Sequence, residues 1–157
     1  MSATEIVLTA FVINLGIALG AGLYETRIVL PLWFHQTANK NYLVDVEAMR
    51  NIDTGRKFWA LVTTIPLTLL TIINFVFAYK AAAPLHDWWM SATIIVLLER
   101  IGTFAFFIPT AIKLQKAASL PVAKTKSMVF WWIRLNYFRN SLTLAALLVS
   151  LKALRVV

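Results

Sequence analysis

The chain has no cysteine, which excludes disulfides and thiolate metal sites. It has two histidines, His35 and His86, and they fall on opposite sides of the arrangement derived below, so they cannot form one site. Acid is scarce: seven Asp and Glu stand against fifteen Lys and Arg, for a net charge of +8. There is no internal repeat and no low-complexity tail. The basic excess does not point to nucleic acid, because the basic residues lie at the ends of apolar runs and in loops, where anionic headgroups and the positive-inside rule account for them.

Long uncharged runs fill the remainder. Sixty per cent of the residues are hydrophobic and the mean hydropathy is +0.74, against about 45–50% apolar in soluble domains. The pattern predicts an all-α, four-transmembrane-helix antiparallel bundle as one domain over residues 1–157. Its spans are expected at about 4–34, 58–79, 88–113 and 128–151. This is a multi-pass integral membrane protein, and a bacterial inner membrane is the expected location.

The first run, Ile6 to Tyr24, carries no charge. It begins after an acid, Glu5, where a signal peptide would carry a basic segment, so the helix is expected to be retained. Gly16 and Gly20 form a small-xxx-small pair, read as close packing inside the bundle, with a pairing face for a homo-oligomer as the other reading. Asn14, Ala18, Ala21 and Glu25 share a further face, and Pro31 predicts a kink. Residues His35 to Lys57 are expected to form a polar loop. Within it Leu43, Val46 and Met49 mark a short surface helix, and Asp53-Thr54-Gly55 a turn. The second run, Phe58 to Tyr79, has a mild polar stripe of Thr64, Thr68, Thr71 and Asn74. The threonines are read as interhelical contacts, with hydroxyls nearby to compensate Pro66.

The third run, Trp88 to Ile112, contains Glu99 and Arg100 at its centre. A charged side chain at that depth costs at least about 2.5 kcal/mol, so it must face protein or a polar cavity with a partner. Thr103, Phe106 and Thr110 extend the Glu99 face, and Pro109 predicts another kink. In the fourth run Trp132, Asn136, Arg139 and Thr143 share one face.

Four spans put both termini on one side. That side carries Lys80, Lys152 and Arg155, and the other carries Lys40, Arg50, Arg56, Lys57, Lys113, Lys116, Lys124 and Lys126. The bias places the two longer loops in the cytoplasm and the termini outside. Tryptophans mark the interfaces, with Trp33, Trp59 and Trp131 on the loop side and Trp88 and Trp89 on the other. Glu25 and Arg139 each lie eight residues from a loop-side tryptophan, which is roughly 12 Å. Glu99 lies at about half-depth. Three helices thus deliver Glu25, Glu99 and Arg139 to one layer, with Arg100 beside them and Asn136 a turn away. Arg139 is expected to depend on Glu99 for charge balance. Arg27 and Arg134 are shallower and expected to snorkel.

The stretch Gly20-Ala21-Gly22-Leu23-Tyr24-Glu25 followed by Pro31-Leu32-Trp33 resembles the DUF1772 family of small membrane proteins. So do Gly55-Arg56-Lys57-Phe58-Trp59 and the Trp132-x-x-x-Asn136-x-x-Arg139 pattern. The resemblance covers essentially the whole chain. It implies kinship with fungal anthrone oxygenases, four-helix membrane enzymes acting without a known cofactor. Such oxygenation needs a carbanion or phenolate beside dioxygen. Glu25 or Glu99 would take the proton, with Arg139, Arg100 and Asn136 as oxyanion partners. Trp132, Tyr24, Phe104 and Phe106 would stack a hydrophobic phenolic or polyketide-like small molecule, and Asn14 would line the pocket. No cofactor and no metal is expected, since a metal would have to be held by Glu25, Glu99 and Asn136. The alternative function is a non-catalytic binder or carrier of a lipid- or quinone-like ligand, or a subunit of a membrane complex. The expected partners are membrane lipids and a hydrophobic small molecule.

Overall fold

A computed structural model describes residues 2–39 and 41–157; Lys40, counted above among the loop charges, lies outside the described residues. Four long helices dominate: α1 (Ala3–Trp33), α3 (Gly55–Lys80), α4 (Leu85–Leu114) and α5 (Val122–Leu154). Between α1 and α3 lie a two-stranded hairpin, β1 (Phe34–Gln36) and β2 (Tyr42–Val44), and a short helix α2 (Val46–Ile52). Helix α1 packs against α3 and α5, and α4 packs against the same two, so the helices close a ring in chain order, as in an up-and-down bundle. Three of the four, α1, α3 and α4, are long and apolar enough to cross a membrane.

Polarity is inverted relative to a water-soluble bundle. Ile13, Leu61, Leu69, Ile72, Leu98 and Ile101 are exposed, while Thr63, Asn74, Thr93, Asn136 and Ser150 are wholly buried. The outer surface suits hydrocarbon, and the polar groups turn inward, as buried polarity requires where water is absent.

Two apolar clusters divide the interior. One, built on Leu8, Phe11, Leu15, Leu67, Trp89 and Val96, fills the half nearer the termini. The other, with Val29, Trp33, Met49, Phe107, Val129 and Trp132, fills the loop half. Glu25, Glu99, Asn136 and Arg139 fall between them in sequence on their helices.

The kinks expected at Pro31 and Pro109 take the form of π-helical turns, and Pro66 has one too. These turns are Glu25–Val29 in α1, Gly55–Thr64 in α3 and Thr103–Phe107 in α4. In each, the residue before the proline donates to a carbonyl five residues back: Leu30 to Glu25, Ile65 to Ala60 and Ile108 to Thr103. Proline cannot donate to the carbonyl four residues back and its ring crowds it; the wider turn relieves that conflict.

Several expectations are corrected by this packing. The segment 35–57 is not merely a loop. Asp45 caps α2 by accepting from the Ala48 amide at 2.8 Å, and Met49, 2% exposed, turns inward while Leu43 in β2 faces out. The hairpin, in register Phe34↔Val44 and Gln36↔Tyr42, is a small departure from an all-α fold. Gly16 and Gly20 do not pack inside the bundle, because both lie on the outer face, with open space where a Cβ would stand. The close approach is instead at Gly22, where a Cβ would collide with the Asn140 carboxamide. The threonines of α3 bond their own helix: Thr63 donates to the Trp59 carbonyl, Thr68 to Thr64 and Thr71 to Leu67. Trp89 is not an interface marker, since it is fully buried and donates to Asn74 Oδ1 at 2.8 Å. Trp88 and Trp131 remain exposed.

Candidate functional site

The polar layer resolves into two ion pairs and one hydrogen-bonded hub. Arg139 of α5 reaches across to Glu25 of α1, with Nη2 and Oε2 3.0 Å apart. Arg100 pairs with its own neighbour Glu99, its Nε and Nη2 both 2.5 Å from Oε2. Adjacent residues on a helix diverge by about 100°, so the two side chains must bend toward each other to pair, and Thr103, one turn on, donates to the other Glu99 oxygen at 3.1 Å. The expected dependence of Arg139 on Glu99 is therefore replaced by Glu25–Arg139. The Arg139 guanidinium also lies over the rings of Phe107, at 4.5 Å, and Trp59, at 5.0 Å.

The hub is Thr26. Its hydroxyl donates to the Gly22 carbonyl at 2.7 Å and accepts from Asn136 at 2.6 Å and Asn140 at 3.0 Å. All four residues are buried. The hub fixes α1 against α5, and Gly22 is required there because the Asn140 side chain occupies the place of a Cβ.

Beside these pairs lies a cavity of about 410 Å³. Glu25, Arg100, Thr103 and Arg139 line its inner wall; Trp33, Trp59, Phe107 and Trp132 give it aromatic sides, and Ile108, Ala111 and Ile112 apolar ones. Met49 of α2, the Asp53–Gly55 turn, Arg56 and Gln115 also line it. Asp53 holds the left-handed conformation (φ 38°) that ends α2 and accepts from Arg56 Nε at 2.8 Å. Three buried donors belonging to lining residues, Trp33 Nε1, Trp132 Nε1 and Arg100 Nη1, have no hydrogen-bond partner among the described residues.

Of the residues singled out from sequence, Glu25, Arg100, Arg139 and Trp132 meet at this cavity. Glu99 is 5% exposed but stands behind Arg100, where it holds the guanidinium; Asn136 belongs to the hub. Asn14 lies away from the cavity in α1 and donates to the Val62 carbonyl at 3.1 Å. Val62 is four residues before Pro66, so its carbonyl lacks the helical donor that any other residue at 66 would supply. Asn14, rather than a threonine hydroxyl, meets that need. Tyr24 is 61% exposed and borders a separate outer hollow, and Phe104 also faces out.

Trp33, Trp59, Phe107 and Asp53 are at the cavity without having been singled out for it. Phe107 replaces Phe106 for a geometric reason. Seven α-helical residues after Glu99 put Phe106 on its face and leave Phe107 about 80° away. The extra residue absorbed by the π turn takes back about 100° and brings Phe107 inward. The same shift, across Glu25–Val29, brings Trp33 into line with Glu25.

Among the described residues no group of three or more His, Asp or Glu is placed to hold a metal ion. No family model, curated protein or solved structure matches the chain.

Proposed function

We propose that this is an integral membrane protein with four crossing helices, its termini outside and its longer loops inside, acting as an oxygenase- or oxidase-like protein on a hydrophobic phenolic or polyketide-like compound. The fourth crossing is α5, whose buried Asn136 and part-buried Arg139 face the bundle and whose exposed Arg134 lies over Phe130 at 4.2 Å, where a long side chain can snorkel. The observation that carries the reading is one cavity lined by two carboxylates, Glu25 and Asp53, three guanidinium groups, Arg56, Arg100 and Arg139, and four aromatic rings, with apolar side chains between them. That combination binds an aromatic compound, removes a proton from it and stabilises the resulting oxyanion.

In the reaction, Glu25 accepts a proton from an activated C–H conjugated to a phenol. The electron pair left behind attacks dioxygen, the oxidant. One oxygen atom remains as a carbonyl, and the other leaves as water with the two protons of the original CH₂. Arg139 and Arg100 stabilise the phenolate oxygen, and Trp132, Phe107 and Trp59 hold the ring. The DUF1772 resemblance supports the same chemistry.

The test is turnover of an anthrone-type compound by protein purified in detergent under labelled dioxygen. One labelled oxygen atom is expected in the product, and Glu25→Gln is expected to lower turnover by about 10²–10⁴-fold. Binding without turnover would support the second reading, a non-catalytic carrier, which the unpartnered donors on the wall favour. Neither binding nor turnover would overturn both.

A further inference from the structure

The cavity wall is asymmetric in its hydrogen-bonding chemistry. Its carboxylates are engaged, Glu25 by Arg139 and Asp53 by Arg56. Among the described residues its unengaged buried groups are all donors: Trp33 Nε1 from α1, Arg100 Nη1 from α4 and Trp132 Nε1 from α5. Each belongs to a residue at least nine-tenths buried, and a buried donor left unmade is costly. An indole N–H cannot turn into an acceptor, and a guanidinium cannot either. The complement of this wall is therefore a head whose polar atoms accept.

A second feature adjoins it. On the outer face between α1 and α3 lies an apolar hollow of about 430 Å³, bounded by Ile17, Gly20, Ala21, Val29 and Phe58. It shares Glu25, Thr54 and Trp59 with the cavity, so the two adjoin at those side chains. Gly20 has nothing within 4 Å of the place a Cβ would occupy; the absence of a side chain there is what leaves the hollow open. It lies on the surface that hydrocarbon would cover.

We propose that the site takes an amphiphile reaching it sideways from the bilayer: an acceptor-only head, a quinone carbonyl or a carboxylate, held by Trp33, Trp132 and Arg100, with an unbranched apolar chain lying in the α1–α3 hollow. The proposal rests on the cavity being a ligand site and not on the reaction assigned to it.

The test measures equilibrium binding in a steroid-based detergent, which has no alkyl chain to compete. The probes are 2-decyl-1,4-benzoquinone, its quinol kept anaerobic, chainless 2-methyl-1,4-benzoquinone, laurate and dodecylamine. The decyl quinone or laurate is expected to bind, and which of them binds more tightly identifies the head. The amine, a donor-only head, is expected not to bind, and the quinol to bind more weakly than the quinone. The chain is expected to add about tenfold or more in affinity over the chainless quinone. Trp33→Phe and Trp132→Phe should each weaken the decyl quinone or laurate by about three- to tenfold. Gly20→Phe has open space for its Cβ and projects into the hollow, so the protein should melt as the wild type does while the chain's advantage disappears. Equal binding of the amine, or a chain advantage that survives Gly20→Phe, would overturn the proposal. Failure of turnover with intact binding would leave it standing and remove only the oxygenase reading.

Discussion

Arg139→Leu removes one partner of a buried pair and leaves the Glu25 carboxylate facing Phe107 and Trp59 with no cation between them. Breaking a buried ion pair from one side costs about 3–5 kcal/mol, and the two ring contacts contribute roughly another 0.5–2 kcal/mol. Glu25→Leu strands the guanidinium instead and costs a comparable amount. The double variant removes both charges, so its loss should fall short of the sum of the singles by about 3 kcal/mol. Neutral interhelical hydrogen bonds in membranes couple by only about 0.6 kcal/mol on average and at most about 1.7, so a value near 3 is diagnostic of the ion pair. The parallel cycle with Glu99→Leu should give a clearly smaller coupling, because Glu99 is committed to Arg100 and Thr103. The assay is reversible unfolding in mixed micelles, followed by circular dichroism for the wild type, the three singles and both doubles. A Glu99–Arg139 coupling equal to or larger than that of Glu25–Arg139 would refute the pairing and the geometry of the cavity wall with it.

Three further outcomes are expected. Asn14→Leu should cost about 1–3 kcal/mol by stranding the Val62 carbonyl, and adding Pro66→Ala should recover much of that, since an alanine supplies the missing amide; a purely additive double would show that Asn14 acts elsewhere. Gly22→Ala should lower the melting temperature by pressing on Asn140, at about 1–3 kcal/mol, and Gly22→Ala with Asn140→Ala should be more stable than Gly22→Ala alone, a ranking that differential scanning fluorimetry reads directly. The chain lacks cysteine, so Ser2→Cys and Ser127→Cys give clean labelling sites in whole cells. Ser2→Cys should react with an impermeant maleimide and Ser127→Cys should not, and the opposite result would invert the proposed orientation.

Helical spacing made much of this legible. The face Trp132, Asn136, Arg139 and Thr143 turns inward as a unit. Counting from the tryptophans put Glu25, Glu99 and Arg139 in one layer, and on their helices they fall between the two apolar clusters, although Trp33 and Trp89, from which two of the counts ran, are buried rather than at an interface. What spacing along one helix does not carry is rotation between helices, and that rotation decides whether Arg139 meets Glu25 or Glu99. Nor does it register the extra residue of a π turn, which moves Phe107 and Trp33 inward. The hairpin was illegible because each strand is three residues long, too short for a period of two to show.

The three π turns all belong to helices that wall the cavity, and each contributes lining residues: Glu25 from α1, Trp59 from α3, Thr103 and Phe107 from α4. A π turn is an α-helix carrying one residue too many. Rewinding the α4 turn as a regular α-helix with every residue kept would swing everything beyond it by about 100°, taking Phe107 off the wall. The empty space in the loop half is thus a matter of how the helices are wound as much as of side-chain choice. Wound as regular α-helices throughout, the same sequence would present different faces to its own centre, and the hollow would be lined by another set of side chains altogether.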